Sequence, residues 1–293
     1  MMTPISLPNS AQWALTGSST KTSYLVQVAW PLNFKPEDEH SIVYVLDGNA
    51  YFNSVLETVR RSRYPAGDKT IVVGVGYEGS CGTPDFPNLF DGPKRSRDLT
   101  IDKDHVRDTH PFLDFLLETL IPSVNNFLVN DIKLANEPKY RTIMGHSFGG
   151  LFTLASLLLT VNPKYQYFDS YAAFSPSIWF ADRLILRYAE KYIKEFSATT
   201  TVSANKPKLL IAYGTQEQYP AKFGFESEEQ FQKRREMSLH NRMSDNVLEF
   251  EALVSPLIDV EVAALSNANH GVAGSAMSAY GIPWILEKFV LHK

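Results

Sequence analysis

Cys81 is the only cysteine among the 293 residues of this chain. That excludes an internal disulfide and a cysteine-based metal cluster. A dominant charge sign is missing as well: 28 Lys and Arg stand against 32 Asp and Glu, a formal net charge of −4. Such a balance gives no general attraction to nucleic acid or to an anionic membrane. Residues 1–6 have neither a basic nor an apolar segment, so no secretory signal is expected. Long hydrophobic runs are absent too. A stretch such as 151–159 falls well short of the roughly 20 residues that span a bilayer. The expected location is therefore cytoplasmic and reducing. No clustered side chains suit a protein-bound metal, and no organic cofactor is called for.

What remains is an ordinary globular composition, 44% hydrophobic and 20% charged, without repeats or low-complexity tracts. Short apolar runs rich in β-branched residues alternate with helical patterns. Strands are expected at 24–30, 41–46, 70–76, 140–144, 169–174, 208–213 and 258–265. Helices are expected at 50–63, at 111–120 (capped by Thr109 and ending before Pro122), and at 148–159, 183–196 and 276–291. The charged stretch 226–253 reads as helical. Residues 77–104 lack any period and are rich in Gly, Pro and Asp, as befits a binding loop. The alternation implies an α/β fold, a mostly parallel sheet covered on both faces. No linker divides the chain, so one domain over 1–293 is expected.

One motif carries chemistry. Gly145-His146-Ser147-Phe148-Gly149 is a G-x-S-x-G sequence between an expected buried strand and an expected helix. That context gives it meaning, because α/β-hydrolases place their nucleophilic serine on such a turn. Gly145 and Gly149 would remove Cβ atoms that crowd the serine, and Gly150 would let the helix approach the sheet. The following helix N-terminus favours negative charge beneath Ser147.

A serine needs a base, and chain order in this fold runs serine, acid, histidine. Three histidines follow Ser147. His292 is penultimate, and His240 lies in the charged segment. His270 lies in a short polar loop after the last strand, where a base should project over the sheet edge. His146 is read as packing or loop support. For the acid, Glu217 directly follows a late strand, whereas Asp182 looks like an N-terminal helix charge. A site without a strong acid stays open. The oxyanion hole should pair the N–H of Phe148 with that of Asn49 in the turn after an early strand.

Together these segments resemble a family. Val43-Tyr44-Val45-Leu46-Asp47-Gly48, Arg97-Asp98-Leu99-Thr100, Gly145 through Gly150, Ser175-Pro176-Ser177-Ile178-Trp179 and Asn269-His270 are similar to the siderophore esterases. These include enterobactin-esterase-like hydrolases and the fungal enzymes that open ferric triacetylfusarinine C. The likeness runs from about Leu25 to Phe289. It implies cytosolic cleavage of ester bonds in a trilactone siderophore through an acyl-enzyme, with iron arriving only on the substrate. It places the serine at Ser147, the histidine at His270 and a carboxylate at Glu217.

For the substrate, the expectation is a cationic rim drawn from Arg60, Arg61 and Arg63 and from Lys94, Arg95 and Arg97. Arg97 and Arg63 are the preferred contacts. Such a rim would suit an anionic ferric catecholate, while a near-neutral trishydroxamate would use it as hydrogen-bond donors. Trp179, with Phe180, Tyr77 and Tyr219, would supply apolar walls, and 226–253 would form a partial lid or a solvated helix. Two other classes compete: a general acyl, acetyl or thioester (S-formylglutathione-like) hydrolase, and a pseudo-hydrolase that only binds. Oligomeric state is not readable.

Overall fold

The computed structural model describes residues 6–62, 66–79, 88–102, 110–199 and 206–291. Thr109, Cys81, His292 and Arg63 lie outside them, so the expectations for those positions find no counterpart here. In chain order the elements are β1 (Ser10–Thr16), β2 (Ser23–Ala29), β3 (Ser41–Leu46), α1 (Gly48–Arg61), β4 (Thr70–Tyr77), α2 (Gly92–Leu99) and α3 (Pro111–Phe115). They continue with α4 (Ile121–Asn130), β5 (Tyr140–His146), α5 (Phe148–Leu158), β6 (Ser170–Phe174), α6 (Phe180–Thr199), β7 (Lys208–Gly214) and α7 (Thr215–Gln218). Last come α8 (Glu228–Asn241), α9 (Met243–Val254), β8 (Asp259–Leu265), α10 (His270–Ala276) and α11 (Ile282–Leu291).

The eight strands form one sheet in the order β1-β2-β4-β3-β5-β6-β7-β8. The pairs β1·β2 and β2·β4 are antiparallel and the rest are parallel. Every residue of β3, β4 and β6 is buried, which is why those strands read as continuous apolar runs. One face packs under α5 through residues such as Ile143, Leu151 and Phe152. The other packs under α1 and α11 through Val43, Met144, Phe52 and Ile285. This is the α/β-hydrolase arrangement. It brings the C-terminal ends of β3, β5, β6, β7 and β8 to one edge, where ligands bind in such sheets.

Two short helices, α7 and α10, were not expected, and His270 is the first residue of α10 rather than part of a loop; four further elements depart from the sequence expectation. β1 was not expected: its half-exposed alternation on the sheet edge gives a weak apolar signal. α2 lies within the stretch expected to be loop, with Asp91 capping it by accepting from the Lys94 N–H at 3.1 Å.

The helix beginning at Pro111 does not end before Pro122 but runs on to Asn130. A single π turn, Leu116–Leu120, sends the Ile121 N–H back to the Leu116 carbonyl, and this wider turn accommodates a proline that has no N–H to give. By length and composition that run could cross a membrane. Here its apolar face is packed on the core: Phe115 stacks on Tyr24 at 4.1 Å and Phe112 meets Phe152 at 5.1 Å. The fourth difference is the charged segment, which is two helices broken at Arg242, a residue in the left-handed region with φ 49°.

Candidate active site

Ser147 stands between β5 and α5 with φ 61° and ψ −117°. A non-glycine residue in that region is strained, and the surrounding fold must hold it there. Gly145 shows how. A Cβ on it would lie 2.5 Å from the Gly149 backbone, and one on Gly150 would lie 2.9 Å from the Phe174 carbonyl. Both glycines are therefore needed for close approach. Gly149 is not needed in the same way, because its added Cβ would meet Asp47 Oδ2 only at 3.4 Å, an ordinary contact. The Ser147 N–H donates to the Phe174 carbonyl at 2.9 Å, tying the turn to β6.

The structure brings Ser147, His270 and Glu217 into one hydrogen-bonded relay. His270 Nε2 lies 3.1 Å from Ser147 Oγ, and its Nδ1 lies 2.6 Å from Glu217 Oε2. With Nδ1–H donating to the carboxylate, Nε2 is left to accept from the serine hydroxyl. The Glu217 side chain is buried, and its other oxygen accepts from Ser175 Oγ at 2.5 Å and from the Gly214 N–H at 2.7 Å. Three donors thus hold a carboxylate in the orientation that an imidazolium would need. Asp182 takes no part: its side chain is 93% exposed and lies beside Arg187. His240 is on α8, a helix that buries no residue.

Two serines were missed by sequence reasoning. Ser175 orients Glu217, and it too has a positive φ of 43°. Ser177 is buried with its Oγ 3.4 Å from Ser147 Oγ. Both sit in the Ser-Pro-Ser-Ile-Trp segment already singled out for resemblance, which was the one available signal.

His146 holds His270 from behind. Its Nε2–H donates to the His270 carbonyl at 2.9 Å, so its bare Nδ1 accepts from Tyr51 Oη–H at 2.9 Å. Burial first, and the neighbouring His270 second, push its pKa down to about 3. It is therefore neutral near pH 7. Asn269 caps α10 by accepting from the Val272 N–H at 3.0 Å, fixing the same backbone from the other side.

On the opposite flank, the first N–H groups of α5 and α1 include those of Phe148 and Asn49. Among the described residues neither has a backbone hydrogen bond, as expected at helix starts. The Asn49 side chain is clamped to Tyr77, accepting from its N–H at 2.7 Å and donating to its carbonyl at 3.2 Å. Beneath this turn Asp47, itself left-handed at φ 53°, accepts two N–H bonds from Arg95 at 2.6 and 2.9 Å. Burial raises the Asp47 carboxyl above its ordinary value, against the pull of the guanidinium. Arg95 also lies 5.8 Å from the centre of the Phe148 ring.

Among the described residues, the cations expected at the rim already have partners within the protein. Arg97 is engaged with buried Asp98 at 2.6 and 2.8 Å, and Asp98 also accepts from Tyr24 Oη. Arg60 donates to the Pro8 and Asn9 carbonyls, Arg61 faces Glu57, and Lys94 faces Asp91. The helix ends and turns that attracted these cations supply their own acceptors. Tyr77 is core. Trp179 does border the site, at one wall of a cavity of about 380 Å³ that also touches Glu217, His270 and α8. A larger cavity of about 740 Å³ opens at the strand starts Tyr140, Lys208 and Asp259, the edge opposite to the relay.

Comparison with known proteins agrees with this architecture. Residues 17–253 match the family described as "Putative esterase", a match that ends before His270. The chain is 34% identical to the siderophore enterobactin esterase of Emericella nidulans, over 92% of this chain and 91% of that protein. It is 33% identical to the siderophore triacetylfusarinine C esterase of Aspergillus fumigatus, over 86% and 83%. Among solved structures, siderophore hydrolase EstB from Aspergillus nidulans superposes with a TM-score of 0.84 at 28% identity, covering 98% of this chain and 97% of that one. The chain belongs to this esterase family, carboxylic-ester hydrolases, and has the α/β-hydrolase fold.

Proposed function

We propose that this protein hydrolyses the ester bonds of a trilactone siderophore, with Ser147 as nucleophile, His270 as base and Glu217 as the orienting acid. The observation that carries the reading is the relay at 2.6 and 3.1 Å in a chain whose relatives are named for siderophore esters.

Ser147 Oγ attacks the ester carbonyl while His270 Nε2 takes its proton. The carbonyl oxygen becomes an oxyanion, which the N–H groups of Phe148 and Asn49 stabilise at two helix starts. The tetrahedral intermediate collapses, the C–O bond breaks, and His270 returns the proton to the leaving alcohol. Water then repeats the sequence on the acyl-enzyme. The iron is cargo on the substrate, and its release inside a cell would follow from opening the macrocycle.

Incubation with ferric and iron-free trilactone siderophores, followed by mass spectrometry, tests the proposal. Linear and monomeric products are expected, and none from Ser147→Ala. Turnover of short acyl esters or S-formylglutathione with every siderophore left intact would overturn it.

A further inference from the structure

We propose that the cavity beside His270 is the subsite for the alcohol half of the ester, and that it selects an uncharged, apolar alcohol. This rests on the esterase reading above. Proton bookkeeping sets the side. The proton that His270 Nε2 takes from Ser147 must go to the leaving oxygen, so that oxygen sits on the His270 flank. The carbonyl oxygen sits on the other, toward Phe148 and Asn49. The group attached to the leaving oxygen therefore points into the space bounded by His270, Gly271 and Trp179.

Size and chemistry of that space define the ligand. At about 380 Å³ it is near the small end of ligand pockets, which run from about 300 to 1,000 Å³. It takes one arm of a large substrate. Trp179, Phe223, Met237 and Met243 give it apolar walls. The cation on its lining, Arg234, is spoken for by Glu226 at 2.7 and 2.6 Å and lies 4.4 Å from the centre of the Phe223 ring. Glu217 is spent on His270. A charged alcohol thus meets no unpaired counter-charge among the described lining residues, and desolvating it would cost more than the walls return.

A second observation points the same way. Met237 is 60% exposed and Phe225, stacked on Phe223 at 5.3 Å, is 86% exposed. Large apolar side chains left in water together at the edge of a cavity mark a ligand groove. The charged α8 gives the cavity Met237 beside Arg234, Ser238 and Asn241, and Phe223 and Phe225 come from the segment just before it.

The test holds one acyl group constant, butyrate, and varies the alcohol: methanol, 3-methylbutanol, glycerol and glycolate. The 3-methylbutyl ester should exceed the methyl ester in kcat/KM by about 10- to 100-fold, in line with what added methylenes contribute in a hydrophobic pocket. The glycolate ester should not exceed the methyl ester. Met237→Asp, at an exposed position, should cut the 3-methylbutyl-to-methyl ratio at least about tenfold. A flat alcohol series, or an unchanged ratio in Met237→Asp, overturns the subsite. Siderophores opened alongside a flat series would overturn the subsite alone. The expected alcohol preference with every siderophore intact would support the subsite and overturn the proposed substrate.

Discussion

The two flanks of Ser147 are held by different means. On the His270 side the imidazole is 48% exposed and donates to Glu217, while His146 donates to the His270 backbone carbonyl. On the Asn49 side a buried ion pair, Asp47 with Arg95, stiffens the turn, and a side-chain clamp to Tyr77 locks it. The difference follows the work each flank would do. A proton carrier must change charge and rotate slightly within a cycle. Oxyanion donors stabilise charge best when they do not move at all. One flank is therefore built around a proton carrier, the other around a buried ion pair and backbone.

The largest effect should come on the relay side. Glu217→Gln should lower kcat by on the order of 10³–10⁴, the scale seen when an orienting carboxylate is lost, with the circular dichroism spectrum unchanged. A rate near wild type would mean that Ser147 and His270 work as a dyad.

On the other flank the larger effect should be on stability. Arg95→Ala leaves Asp47 buried and unpaired, which costs about 3–5 kcal/mol in denaturant unfolding. The double replacement Asp47→Leu with Arg95→Met should recover most of that stability and not the activity. Equal recovery of both would show that the pair does nothing for the turn.

Two smaller effects should follow. Ser175→Ala removes one of the three donors to Glu217. A hydrogen bond to a charged group contributes about 1.5–3 kcal/mol, so kcat should fall about 10- to 100-fold while KM stays near wild type. Smallest is the pH effect of His146. Its pKa in the folded protein, about 3, lies below the ordinary 6.5, so the unfolded chain binds the extra proton between those values. Stability should fall as pH drops through that window. His146→Gln, which has no such titration, should flatten the slope measured by urea unfolding at pH 7 and pH 5.

The same division explains what was legible in the sequence. Ser147, His270 and Glu217 could be read because chain order and strand endings constrain them, and the buried parallel strands announced themselves as apolar runs. The second flank was half legible. Asn49 follows from the Asp-Gly turn, but Arg95 and Arg97 look identical in sequence, and only the structure gives each its own aspartate. Ser175 and Ser177 had no signal beyond their place in the Ser-Pro-Ser-Ile-Trp segment. β1 was hidden by half-exposure, and the run past Pro122 by a π turn that no proline rule anticipates.

The central claim is that Ser147 is the nucleophile activated by His270 and Glu217. Reaction with a fluorophosphonate, followed by intact-mass measurement and peptide mapping, tests it most directly. One adduct is predicted, on Ser147, forming much more slowly in Glu217→Gln. Ester turnover that continues with Ser147 unlabelled would contradict the account.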